Sequence, residues 1–271
     1  AGAGPSAARR AAVAEAQAPP AAEEPTPFPE DVLFREPMLL FLELLKEDPL
    51  DEEALIACML DMEELHEFDR QWVEWPFSLG DVKRTPYNRG CFQALCGILR
   101  LVEHGQGQVQ GVAIDLLWKL VDEGVTLTRL PVGLVVEMGA GGLLCSLARR
   151  TADEVVLKIL RKLITDASPT TWPSLIKGGV ITAAVDALNL EDITPMEQLA
   201  ALDVLIAIAK RSPARAVEEG VHEAVLAIDN EGLVPRRNRI LNLLRPMVRL
   251  EGEEDGQRLP TTNLRAGGLR Y

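Results

Sequence analysis

Residues 174–188 read Ser-Leu-Ile-Lys-Gly-Gly-Val-Ile-Thr-Ala-Ala-Val-Asp-Ala-Leu, and this stretch decides the fold class. One apolar helical segment ends on the Gly178-Gly179 pair, and a second begins at once with Val180. Glycine reaches the left-handed backbone conformation that lets two helices meet at a steep angle. The stretch therefore predicts a sharp junction between two packed helices.

The same junction recurs elsewhere in the chain. Residues 216–226 read Ala-Val-Glu-Glu-Gly-Val-His-Glu-Ala-Val-Leu, and residues 137–143, Glu-Met-Gly-Ala-Gly-Gly-Leu, form a looser copy. We expect a medium helix after each of four glycines, namely Gly90, Gly142, Gly179 and Gly220. The expected helices cover residues 91–103, 143–150, 180–190 and 221–228.

A longer apolar helix follows each of these medium helices, and we call it the closing helix of its unit. The four closing helices are expected near residues 109–122, 153–166, 195–211 and 237–250. Their central leucines, Leu117, Leu160, Leu205 and Leu244, recur about every 40 residues, which is typical of helical solenoids. The apolar stripes predict a core that includes Leu117, Leu120, Leu160, Leu163, Leu202, Leu205, Leu241 and Leu244.

The junctions and their spacing resemble the armadillo-repeat family and its HEAT-like relatives, with degenerate repeats over residues 88–250. The resemblance implies an all-α, right-handed solenoid of about four to five repeats with extended N- and C-terminal arms. Composition and charge add the other parts of the chain, so that it divides into a low-complexity Ala/Pro-rich arm (1–29), an acidic helical capping region (30–87), the repeats (88–250) and a C-terminal arm (251–271). Solenoids of this kind present one long concave surface, which in this family holds extended peptides or partner helices.

This chain departs from the peptide-binding members of that family at the residues that clamp the peptide. Those members carry an Asn in the middle of each closing helix and a Trp one turn earlier. The matching Asn positions here are Lys119, Lys162, Ala207 and Pro246, and the matching Trp positions are Asp115, Lys158, Asp203 and Asn242. A nuclear-transport receptor function is therefore not expected, and any groove must recognise its ligand by other chemistry.

The charge of the chain is concentrated near its N-terminus. The formal net charge is −13, and residues 30–69 hold fourteen acids against two bases. This segment is either a solvated helical face or a surface that attracts a basic protein. Nucleic acid is not expected as a ligand because no extended basic stripe is visible, and anionic membrane surfaces are disfavoured for the same reason. No apolar run is long enough for a membrane span.

An aromatic island adjoins the acidic segment, and we define it as Phe68, Trp72, Trp75 and Phe77. Tryptophan is enriched at the centres of protein interfaces, so these four residues are the predicted partner-binding site. The alternative is that they close the end of the solenoid.

The N-terminal arm gives an indication of compartment, beside the four cysteines, whose apolar surroundings fit a reducing compartment. Residues 1–14 contain Arg9 and Arg10 but no acid, which resembles organelle-targeting sequence, while an ordinary flexible tail explains them equally well. An organelle interior, in a chloroplast or mitochondrion, is therefore favoured slightly over the cytoplasm. Arms of this composition often wrap partners in large assemblies.

No constellation for catalysis, metal or cofactor is visible in the sequence. The three histidines lie in different units, and phosphate-binding and nucleophile motifs are absent. The four cysteines sit in apolar helical patterns, where a thiol packs as a small hydrophobe. We therefore predict a non-catalytic protein–protein interaction scaffold without cofactors. It would be an accessory structural subunit of a larger, organellar complex of other protein subunits; the alternative is a transient adaptor or assembly factor that binds a partner peptide or helix.

Overall fold

The computed structural model describes residues 36–47, 49–68, 76, 78–82, 86–122 and 130–256. Of residues 36, 65–68, 86–87 and 249–256 only the backbone is described. All described residues belong to one compact unit, Phe34–Tyr271. Every regular element in this part of the chain is a helix, which confirms the all-α class.

The described residues form fourteen α-helices and one short 3₁₀ helix. They are α1 (Glu36–Leu44), α2 (Glu52–Phe68), α3 (Leu79–Val82), α4 (Pro86–His104), α5 (Gly107–Asp122), α6 (Val132–Glu137), α7 (Ala140–Thr151), α8 (Glu154–Asp166), α9 (Trp172–Lys177), α10 (Val180–Leu188), α11 (Pro195–Arg211), α12 (Pro213–Glu218), α13 (Val221–Leu226) and α14 (Val234–Gly256), with the 3₁₀ helix at Glu231–Leu233.

These helices stack as consecutive units in two layers. The closing helices α5, α8, α11 and α14 pack against one another in chain order, and α2 packs against α5 in the same manner. The medium helices α1, α4, α7, α10 and α13 contact one another in the same order and form the second layer. Five units therefore contribute to the stack, and each buries its apolar faces against its neighbours, as expected of a solenoid.

The core lies between the two layers. Seven of the eight leucines predicted to be buried have no exposed surface. The prediction was wrong for Leu241, which is half-exposed, while its neighbour Ile240 is fully buried. In the described residues α14 has a closing helix on one side only, so Leu241 lacks the second neighbour that buries the matching leucines.

Three glycines form the junctions between short and medium helices. Gly139, Gly179 and Gly220 have φ angles of 81°, 79° and 78°, and each immediately precedes a medium helix. The predictions for Gly179 and Gly220 are confirmed. The prediction for Gly142 was wrong: the first glycine of Gly-Ala-Gly-Gly makes the turn, and Gly142 lies inside α7.

Two further boundaries differ from the sequence predictions. Gly90 lies inside α4, because Pro86 already begins that helix and a single glycine does not break it. At the other end, α14 continues to Gly256, beyond the expected end near residue 250. The first six residues of the C-terminal arm are therefore helical, although an extended arm was expected.

Candidate functional site

Most of the aromatic island falls outside the described residues. Trp72, Trp75 and Phe77 are not described, and of Phe68 only the backbone is described, at the last residue of α2. Residues 1–29 and 257–271 of the two arms also lie outside the described part of the chain. A partner-binding role for these segments stays a prediction.

The described residues contain a different candidate site, a groove along the closing helices α5, α8, α11 and α14. A cavity of about 600 Å³ lies in this groove. Its walls are formed by Asp122, Arg161, Lys162, Ile164, Thr165, Asp203, Ile206, Ala207, Lys210, Arg211 and Arg239. Every one of these residues lies on a closing helix, so the cavity exists because four successive units stack in register.

Three positions matched to the missing Asn and Trp residues line this cavity. Lys162 and Ala207 stand at Asn positions, and Asp203 stands at a Trp position. The other five matched positions do not line the cavity. Charged and small side chains replace the amides and indoles, so the groove has no ladder for clamping a peptide backbone at these positions.

One ion-pair network in the groove joins α5 to α8. The Lys162 ammonium lies 3.4 Å from a carboxylate oxygen of Asp122 and 3.5 Å from one of Asp166. All three side chains are at least two-thirds buried, so solvent screens them less than a fully exposed pair. The Asp122–Lys162 pair holds two neighbouring units at a defined spacing.

A second network joins α8, α11 and α14 through Asp203. Its Oδ1 accepts a 2.9 Å hydrogen bond from Arg236 Nε, and its Oδ2 lies 3.6 Å from Arg161 Nη1. One carboxylate thus lies between two guanidinium groups from the preceding and the following closing helix. The negative charge of Asp203 is shared by two cations and is not available to a third.

The three remaining cationic side chains of the cavity differ in their hydrogen-bond and ion-pair partners. Arg211 donates hydrogen bonds to two backbone carbonyls, those of Ile164 and Ala167. Lys210 and Arg239 are exposed and form no ion pair with another described residue. These two side chains are therefore the free positive charges of the groove.

Sequence reasoning did not find this cationic cluster. Its members come from three helices that are far apart in the chain, so no basic run or stripe appears in the linear sequence. The cluster becomes visible when the closing helices are aligned on their buried leucines. The charged residues near those leucines then fall on successive closing helices, namely residues 161–162, 210–211 and 239.

Asp115 stands at another of the Trp positions, on α5. The side chain is exposed but partly desolvated by neighbouring residues, and this partial desolvation, together with the nearby carboxylate of Asp153, raises the pKa of Asp115, while the ammonium of Lys119 partly opposes that shift. The ionised form of Asp115 is therefore disfavoured in the folded chain.

Burial disfavours the thiolate form of two cysteines, Cys58 and Cys145. Burial raises the pKa of Cys58 to about 11 and that of Cys145 to about 12, so both are neutral thiols at pH 7. Cys58 donates a 2.8 Å hydrogen bond to the carbonyl of Pro37. The expectation that all four cysteines pack as apolar residues was wrong for Cys96, whose position on α4 is exposed.

The described residues provide neither a metal site nor a membrane-spanning helix. They hold no group of three or more His, Cys, Asp or Glu residues placed to bind a metal ion. None of their helices combines the length and the apolar character that a membrane crossing requires.

No protein-family model and no curated protein matches this chain. Solved structures do match its fold. The crystal structure of an engineered protein aligns with a TM-score of 0.57 at 16% identity, covering 84% of this chain and 90% of the other. A computationally designed armadillo repeat protein for modular peptide recognition aligns with a TM-score of 0.55 at 16% identity, covering 80% and 87%.

The helical stack and these neighbours together define the class. The chain is an all-α solenoid with an armadillo-like repeat fold, as its junctions predicted.

Proposed function

We propose that the chain is a non-catalytic, protein-binding scaffold whose closing-helix groove receives a segment of a partner protein. The observation that carries the proposal is the cavity of about 600 Å³ on the stacked closing helices, with exposed charges in its walls. A concave site with a few convergent polar groups is the usual form of a binding site. The designed neighbour was made for modular peptide recognition, which supports the same use of this surface here.

The finer proposal is that the scaffold is an accessory structural subunit of a larger, organellar complex. It rests on the sequence, in which two arms and an acidic segment flank the repeats. Arms that wrap a partner enlarge an interface, and concentrated charge speeds encounter with a complementary surface. The aromatic island would supply the contact residues on the N-terminal side.

Purification of the full-length, tagged chain from its source under native conditions tests the function. A scaffold subunit co-purifies with defined proteins in fixed stoichiometry and elutes at the mass of their complex. A transient adaptor would elute mostly alone and retain its partner only after chemical cross-linking. Elution alone, with no cross-linked partner, would contradict both forms of the proposal.

A further inference from the structure

We infer that the groove selects an acidic protein segment, and that Lys210 and Arg239 are the side chains that recognise it. The inference rests on the proposed scaffold function and adds the chemical class of the partner. The inferred site lies on the closing helices and is positively charged, so it is distinct from the negatively charged segment 30–69.

The first argument is the balance of charge in the cavity. Five cationic side chains line it, namely Arg161, Lys162, Lys210, Arg211 and Arg239, against two acidic ones, Asp122 and Asp203. Both acids are already paired within the groove. The excess of positive charge therefore lies on Lys210, Arg211 and Arg239. Arg211 is engaged by two backbone carbonyls, so Lys210 and Arg239 are the exposed cations left to meet a ligand, in a chain whose net charge is −13.

The second argument is the placement of the charges along the stack. Arg161 and Lys162 lie on α8, Lys210 lies on α11 and Arg239 lies on α14, so the cations occupy three successive closing helices. Packed helices lie about 8–10 Å apart, and an extended chain advances about 3.3 Å per residue. A segment that crosses the closing helices would meet a new cationic position about every three residues.

The third argument is the apolar surface between the charges. Ile164 and Ile206 are almost completely buried and Ala207 is half-buried, so the groove offers a ligand only a small apolar area between the charges. The preferred ligand therefore has acidic residues about three positions apart, separated by small or apolar residues. Nucleic acid fits less well, because its regular phosphates need a longer basic surface and would be repelled by the rest of the chain.

The experiment uses the full chain and three dye-labelled, ten-residue peptides. The peptides have Glu, Gln or Lys at every third position and are otherwise identical sequences of Ala and Leu. Fluorescence anisotropy is measured at about 50 and 300 mM salt. The Glu peptide should bind at least about tenfold more tightly than the Gln peptide, the Lys peptide should be weakest, and the preference should shrink at the higher salt.

Two double variants then locate the site. Lys210→Gln with Arg239→Gln should lower the affinity for the Glu peptide about tenfold or more. Lys177→Gln with Arg100→Gln removes the same charge from exposed positions that do not line the cavity, and it should change the affinity less than about twofold. Thermal unfolding followed by circular dichroism verifies that both variants are folded, which is expected because all four side chains are exposed.

Several outcomes would overturn the inference. They are equal binding of the three peptides, no binding of the Glu peptide, or the same loss of affinity in both double variants. Self-association that disappears in the Lys210/Arg239 variant would also overturn it, because the occupant would then be a second copy of this chain. In each case the scaffold function is judged separately, by whether the native chain co-purifies with a partner.

Discussion

The guanidinium carbon of Arg211 lies 5.0 Å from the centroid of the Trp172 ring, while the same group donates hydrogen bonds to the carbonyls of Ile164 and Ala167. Those two carbonyls belong to the last turn of α8 and its C-cap, where no intrahelical partner is available. Arg211 is the last residue of α11, and Trp172 is the first residue of α9. The Arg211 side chain therefore connects α8, α9 and α11, and it supplies hydrogen-bond donors to carbonyl groups at the C-terminal end of α8.

Arg211→Ala should lower the free energy of unfolding by about 1–3 kcal/mol, because two charge-assisted hydrogen bonds and a cation–π contact are lost. Urea denaturation measures the change. The adjacent Lys210→Ala is the control, and its effect should stay within about 0.5 kcal/mol because Lys210 is exposed. Equal effects of the two substitutions would show that the Arg211 contacts do not stabilise the stack.

Leu160→Ala should destabilise the chain by about 2–5 kcal/mol, because it opens a cavity at a fully buried position between closing helices. Leu241→Ala is a matched control at the end of the stack. Leu241 is half-exposed, so its truncation should cost clearly less. Calorimetric melting of both variants tests which residues of the closing helices are buried. A larger loss of stability in Leu241→Ala than in Leu160→Ala would contradict the assignment.

Gly179→Ala and Gly139→Ala separate two effects at the junctions. Both glycines have φ near 80°, so either substitution should cost about 1 kcal/mol through left-handed strain. A Cβ atom at residue 179 would also lie 2.5 Å from Arg149 Nη2, which donates a 3.2 Å hydrogen bond to the carbonyl of Gly179, whereas nothing lies within 4 Å at residue 139. Chemical denaturation should therefore show the larger loss for Gly179→Ala, and Gly179→Val should exceed both.

Asp115→Asn should stabilise the chain at pH 7 and have little effect at low pH. The folded pKa of Asp115 lies above its ordinary value of 3.8, so the ionised carboxylate opposes folding at neutral pH. That penalty diminishes as the pH falls through the folded pKa, and it is absent below about 3.8. The residue is exposed, so solvent screening limits the gain to a few tenths of a kcal/mol. Unfolding curves at pH 3, 5 and 7 measure it, and a gain that is independent of pH would contradict the cause.

Replacement of Trp72 and Trp75 by Ala distinguishes the two readings of the aromatic island. If the rings are interface anchors, partner association should weaken by about 2–4 kcal/mol while the melting temperature stays unchanged. If they close the end of the stack, stability should fall and association should persist. Both quantities are measured on the double variant, by pull-down of the native partner and by calorimetry. Lost stability with unaltered association would refute the partner-binding prediction.

The repeat fold was readable from the sequence because its causes are local. Gly179 and Gly220 require only their own backbone conformation to end one helix and begin the next, and leucines about 40 residues apart show which helix of each unit is buried. In a solenoid each unit packs mainly on its neighbours, so a pattern within one unit carries information about the whole stack.

The position of each turn and the chemistry of the groove depended on tertiary packing. Gly139 and Gly142 offer the same conformational freedom, and the packing of α6 and α7 decides which of them turns the chain. Leu241 carries the same apolar pattern as Leu202, but no further closing helix covers its side of α14 in the described residues, whereas Leu244 on the same helix is fully buried. Lys210 and Arg239 are 29 residues apart in sequence and share one cavity only because α11 packs on α14. Neither is paired with Asp203, because that carboxylate already lies between Arg161 and Arg236.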